Sequence, residues 1–201
     1  GDPNVPGGAI FFQDSNAVLD RSYGVVGLEP RAEHDFKTSF VAHHLDFGGR
    51  VLRETARYGQ RTGGYAETYA GSNDFEEAHS GTAFAGYVQD RIAFRDDLLV
   101  TPGIRYEHLT FERTVLRQNV GGVTRDVFEQ GQKTVRGVIP GIGMVVGKKE
   151  LSVFGGLHLG FAPPRVTSAI NQRGVSSDVG ADESINYELG ARTMPVRWAR
   201  L

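Results

Sequence analysis

Residues 98–107 read Leu98-Leu99-Val100-Thr101-Pro102-Gly103-Ile104-Arg105-Tyr106-Glu107. In an extended chain successive side chains point to opposite faces. One face therefore carries Leu98, Val100, Pro102, Ile104 and Tyr106, and the other carries Leu99, Thr101, Gly103, Arg105 and Glu107. The first is almost wholly apolar and the second mostly polar or small. A strand with an oily side and a wet side gives this pattern.

The pattern recurs on both sides of this segment. Ile185, Tyr187, Leu189 and Ala191 alternate with Asn186, Glu188, Gly190 and Arg192. In 150–161, Leu151, Val153, Leu157, Leu159 and Phe161 share one face, and Ser152, Gly156, His158 and Gly160 the other, with Phe154 out of step. In 138–146, Val138, Pro140, Ile142, Met144 and Val146 oppose Ile139, Gly141, Gly143 and Val145. Residues 45–54 alternate more loosely, and 82–94 place Phe84, Val88, Ile92 and Phe94 together with Asp90 on the same apolar side. Either that aspartate sits at an interface or a bulge shifts the register there. With a weaker strand near 27–39, the alternation predicts about seven strands.

Connections alternate in length. Short turns fall near Phe40–His43, at Arg95-Asp96-Asp97 and at Gly147-Lys148-Lys149, while 58–80, 112–134 and 162–183 are long polar stretches. In an antiparallel meander this puts short turns at one end of the sheet and long loops at the other, the asymmetry of outer-membrane barrels. Loops beyond roughly 15 residues are uncommon in compact soluble domains. The predicted fold is all-β: an antiparallel meander forming part of a transmembrane β-barrel.

Composition agrees with this. A hydrophobic fraction of 39% and a mean hydropathy of −0.30 are those of a soluble protein and equally fit a barrel in which only alternate residues face lipid, so composition alone does not separate the two. No apolar run reaches about 18 residues, which excludes a transmembrane helix. The 27 glycines favour turns and close backbone contacts over helices. Cysteine is absent, so there are no disulfides or thiolate metal sites. A net charge of −2 gives no nucleic-acid footprint.

Enzyme signals fail. The stretch from Gly141 to Gly147-Lys148-Lys149 is one residue too long for a phosphate-binding loop and lacks the following Ser or Thr. No zinc-protease or nucleophile-elbow motif is present. No cofactor and no metal site is expected. His43 and His44 are adjacent, which sends them to opposite faces of a strand and makes them poor co-ligands; a turn is the expected setting. Asp74-Phe75-Glu76-Glu77 with His79 lacks the ordered spacing of a calcium loop and is read as a solvated loop. On the wet face, Arg50, Arg91, Arg105, Glu107, His158, Glu188 and Arg192 either attract an anion or pair with neighbouring structural charges, and the second is the favoured reading. Tyr106 and Tyr187, on the apolar face, read as girdle residues. Pro163-Pro164 ends a strand and brings Arg165 into a long loop.

Three segments in order resemble the TonB-dependent receptors of Gram-negative outer membranes. Ala85-Gly86-Tyr87-Val88-Gln89-Asp90 leads through a short turn to Leu99–Glu107, a pair that looks like a barrel hairpin of that family. Pro140-Gly141-Ile142-Gly143 and then Val153–Pro164 resemble the next hairpin and loop entry, and Asn186-Tyr187-Glu188-Leu189-Gly190-Ala191-Arg192 resembles the strand after it. Upstream, Gly27-Leu28-Glu29-Pro30-Arg31 and residues 44–58 look like the ferric-dicitrate branch.

The resemblance implies a plugged barrel of about 22 strands. In such a receptor a ferric chelate, either ferric citrate or a siderophore, binds from outside. TonB acts through a plug domain that these residues do not contain. On this reading 1–201 is a partial barrel domain, cut at both ends and sited in outer-membrane lipid, and it is not an enzyme. The expected ligand contacts, in the lumen or a loop, are Arg31, Arg105, His158 and Arg165. Two alternatives stand beside it: a passive porin-like or small self-contained barrel, and a soluble β-sandwich binding module, which would bury the apolar faces.

Overall fold

A computed structural model describes residues 15–64, 71–148 and 150–193. They form one antiparallel sheet of eight strands: β1 (Ser15–Leu28), β2 (Arg31–Thr38), β3 (Val41–Gly64), β4 (Ser72–Arg95), β5 (Leu98–Val120), β6 (Val123–Gly147), β7 (Leu151–Ala162) and β8 (Asp182–Thr193). A short helix, α1 (Val166–Ala169), lies between β7 and β8. Strands neighbour one another in chain order from β3 to β8.

The first two strands act as one stave. β1 pairs with β3 from Val51 to Gly64, and β2 pairs with β3 from Val41 to Gly48. The break between them is Glu29-Pro30. Proline has no N–H to give the ladder, and its carbonyl instead accepts from Gly49 N at 3.1 Å. Eight strands thus make seven staves, the count that the alternation predicts. The first stave runs upstream to Ser15, well beyond the weak strand expected near 27–39.

The strands are far longer than expected. β3 to β6 have 24, 24, 23 and 25 residues, whereas a bilayer needs about 9–11. Most of the stretches 58–80 and 112–134, expected as loops, is strand. Beyond the apolar band both faces of a strand meet water or polar neighbours, so the period-2 signal disappears while the pairing continues. β5 and β6 are joined by Gly121-Gly122 alone, with φ of 64° and 84°. Positive φ at both central residues is the primed two-residue turn that matches strand twist. Gly121→Val is expected to cost about 1–3 kcal/mol of local stability, visible as faster hydrogen exchange in the 117–126 tip and unchanged exchange in the 138–146 ladder. At that tip Arg117 Nε lies 2.6 Å from Asp126 Oδ1. This hydrogen bond and the guanidinium charge hold the Asp126 carboxyl below its ordinary range.

Outside, Leu45, Phe47, Val51, Phe84, Val88, Ile92, Phe94, Val100, Pro102, Ile104, Tyr106 and the 138–146 series form a continuous apolar band in register across β3 to β6. Many of these side chains are exposed, with Ile142 at 51% and Val138 at 57%, and Leu189 on β8 reaches 84%. An apolar surface of this extent marks a membrane or partner contact. It also runs against the soluble sandwich, which would tuck these faces inward.

Asp90 keeps its register, opposite Leu45, and points outward within the band. Its Oδ2 lies 2.6 Å from His43 Nδ1. Phe36 stacks on that imidazole with centroids 4.5 Å apart, and Thr38 Oγ1 lies 3.2 Å from its Nε2. The polar contact explains the aspartate, and no bulge is needed. His44 faces inward to Asp35 Oδ1 at 2.7 Å. The two histidines do point to opposite faces, but both lie inside β3 and not in a turn.

Candidate functional site: the inner wall

The buried apolar cluster is small and lies on the inner face: Phe111 and Val135 from the wall, Ala169 and Ile170 from the β7–β8 connection, with Leu109, Phe161 and Val166 packed against them. That connection therefore folds back into the concavity. The β6–β7 ladder ends at Gly141 and His158, which frees the end of β7 to turn in. Phe161 consequently leaves the outward face on which the alternation places it. Its ring lies over Gly137, where an added Cβ would come within 2.5 Å of it.

The wall holds the folded segment through its main chain. Arg113 Nη1 donates to Ile170 O at 2.7 Å, and Lys133 Nζ donates to Ser177 O at 2.9 Å. Ser176 Oγ donates to Gln132 O at 2.7 Å. Gly131 leaves room for the approach, since its Cβ would collide with Gly174 O and the Ile170 side chain.

Arg113 is itself fixed from the other side. Its Nε and Nη2 converge on Glu77 Oε2 at 2.7 and 2.6 Å, and His79 Nε2 lies 3.1 Å from Glu77 Oε1. Glu77 and Arg113 are both buried. The stretch read as a solvated acidic loop is thus strand β4, with Glu77 and His79 turned inward. Their period of two, matched by Arg113 and Val115 opposite, is the signal that could have placed them.

Lower on the wall, Arg105 Nε and Nη2 both lie 2.6 Å from Glu107 Oε1, and Arg50 Nη2 lies 3.7 Å from the same atom. Arg31 Nε donates to Tyr87 Oη at 2.8 Å, and Tyr87 Oη donates to Asp46 Oδ1 at 3.0 Å. Gln89 Nε2 donates to Asp46 Oδ2 at 3.2 Å. Of the seven wet-face charges read from the sequence, Arg50, Arg105 and Glu107 pair with one another.

Arg31, Arg105 and His158 line one inner cavity of about 370 Å³ together with Asp46, Tyr87 and Gln89. Arg165 lies elsewhere, in a wider cavity of about 580 Å³ with Arg50, Tyr23, Tyr58, His79 and Phe111. The four candidate residues thus form a group of three and a separate one. Among the described residues no cluster of His, Asp and Glu has the arrangement of a metal site.

Comparison with known proteins fits this geometry. The ferric citrate transporter FecA, in its unliganded form, is similar in fold over 92% of this chain and 27% of its own, with a TM-score of 0.75 and 19% identity. The ferric-catecholate import receptor Fiu of E. coli matches over 87% of this chain and 29% of its own, with a TM-score of 0.67 and 14% identity. The ferric yersiniabactin uptake receptor FyuA of Yersinia pestis matches over 91% and 28%, with a TM-score of 0.62 and 17% identity. The chain spans between a quarter and a third of the length of these structures. No curated protein sequence matches it. A family model described as TonB dependent receptor-like, beta-barrel, matches residues 2–201. With nearly every residue matched, and with staves that are apolar outside and polar inside, the chain belongs to the TonB-dependent receptor-like β-barrel family.

Proposed function

We propose that this chain is wall and external loop of an outer-membrane receptor that takes up ferric chelates, with TonB supplying the energy through a plug domain. The observation that carries the reading is the seven-stave wall, apolar outward and ion-paired inward, in a chain of this family. The three similar structures are by title a ferric citrate transporter, a ferric-catecholate import receptor and a ferric yersiniabactin uptake receptor, which supports iron chelates as the ligand class. The role is binding and passage, not catalysis.

Within the wall, the wider cavity is the better candidate for chelate contact. Arg105 and Arg31 are held by Glu107, Tyr87 and Asp46, and their charge is already compensated. Arg165 has no ion-pair partner among the described residues and opens into a space lined by Tyr23, Tyr58 and His79. The ferric-dicitrate resemblance favours an anionic hydroxycarboxylate chelate, which a guanidinium would attract.

The test is uptake of radioactive iron by cells that lack their own chelate receptors and carry the full-length protein. Uptake of ferric citrate or of a siderophore that stops when TonB is deleted is the expected result. Transport of unchelated small solutes without TonB would establish the passive-barrel alternative instead. Arg165→Ala is expected to weaken chelate binding about tenfold, the scale of one charged hydrogen bond, while Arg105→Ala mainly lowers barrel stability.

A further inference from the structure

The outer surface changes character at one level. On β3 to β6 the apolar band ends at the row Val51, Phe84, His108 and Arg136, whose members are cross-strand partners in sequence. The next row outward is Arg53, Thr82, Thr110 and Thr134, again direct partners. Thr110 and Thr134 share a hydrogen bond of 3.0 Å, and Arg53 Nη1 reaches Thr82 Oγ1 at 3.3 Å. Thr110 Oγ1 lies 3.5 Å from His108 Nε2.

Two cations stand at this border, both exposed. Neither Arg53 nor Arg136 has a carboxylate within ion-pair reach among the described residues. Farther from the band the opposite holds: Arg57 Nε lies 3.0 Å from Glu76 Oε1, and Arg61 Nε lies 3.3 Å from Asp20 Oδ2. The sheet thus neutralises its outward arginines where water surrounds them and leaves them uncompensated where the apolar band begins. An unpaired guanidinium beside a low-dielectric slab is costly unless an anion meets it there.

We propose that Arg53 and Arg136, with the Thr82, Thr110 and Thr134 hydroxyls between them, bind the phosphate-bearing headgroup of an outer-leaflet lipid. The acyl chains lie along the apolar band below. The phosphate oxygens accept from the guanidinium forks and from the threonine row, the geometry for which arginine is suited. Three strand spacings separate the two arginines, about 14 Å, so a broad headgroup with phosphate at each end spans the site better than a single phosphodiester. The proposal rests on the reading of the outer face as bilayer-facing.

The test uses the full-length protein reconstituted in phosphatidylcholine vesicles with or without bis-phosphorylated lipid A, with retained lipid counted after exchange into lipid-free detergent. Insertion into pure phosphatidylcholine tests the bilayer-facing reading alone; retention of lipid A tests the proposal. Arg53→Gln with Arg136→Gln is expected to weaken retention about twenty-five-fold, about fivefold for each arginine. Arg53→Lys with Arg136→Lys keeps the charge and retains the lipid within about threefold. Arg57→Gln, at a compensated position, leaves retention unchanged. Equal retention of dephosphorylated lipid A, or an Arg57→Gln loss as large as that of the border pair, overturns the proposal. Displacement of lipid A by millimolar inorganic phosphate also overturns it, by showing a free-anion site.

Discussion

Arg113→Ala is expected to lower the stability of the folded barrel by about 3–5 kcal/mol, the cost of breaking a buried ion pair from one side. The guanidinium is 6% exposed and the Glu77 carboxylate 7%, so neither is served by water. Truncation strands Glu77 with His79 as its remaining partner and leaves Ile170 O without its donor. The loss should not stay local. Ile170 is fully buried against Phe111 and Val135, and once its carbonyl is released the 163–181 segment is free to lift from the wall. Denaturant unfolding of the full-length protein in lipid reads the first effect, and protease cleavage within 163–181 reads the second. Arg113→Met combined with Glu77→Leu removes both charges and should recover most of the stability. A loss below about 1 kcal/mol for Arg113→Ala, the scale of an exposed pair, with the segment still protected, would show that the cluster is not the anchor.

Ile142→Arg is the second large effect, about 2–4 kcal/mol against folding into a bilayer. Ile142 sits midway along the outward series of β6, between Pro140 and Met144, with 51% of its surface open. In lipid that surface faces hydrocarbon, where a guanidinium must snorkel or thin the bilayer. The same change at Thr134, one row beyond the band, should cost about 0–1 kcal/mol. A depth profile of this form, measured by equilibrium folding into phosphatidylcholine vesicles, separates a lipid-facing wall from a protein-covered one. Equal and small costs at both positions would sink the lipid assignment.

Period-2 alternation carried the part of the fold that touches the bilayer, because there one face must be apolar for the length of the crossing. It located the staves at 98–107, 138–146 and 184–193 and counted seven of them. It failed where that constraint lapses. β1 mixes Asp20 and Ser22 with Val18 and Val26 on one face, so its pairing is visible only in three dimensions. Tyr58–Gly64 and Glu112–Val120 read as loops because hydrophilic residues occupy both faces, although the Gly121-Gly122 pair signals a hairpin on its own.

The candidate residues divide in the same way. Arg105 and His158 follow from strand parity, which fixes the direction of a side chain. Their partners do not, because partners depend on register between strands. Arg113 is not legible in the sequence, since its chemistry arises from Glu77, thirty-six positions away, and from a backbone carbonyl that no residue type advertises. Asp90 was legible as an anomaly, and its explanation needed His43 from the neighbouring strand.

The grip on the 163–181 segment has an evolutionary corollary. Arg113 and Lys133 seize peptide carbonyls of Ile170 and Ser177, and every residue type offers the same carbonyl. Substitutions at the exposed positions of that segment, such as Gln172, Arg173 and Val175, can therefore accumulate without unfastening it. The clasp does not depend on which side chains it holds, so the sequence of the segment can drift while the architecture that presents it stays put.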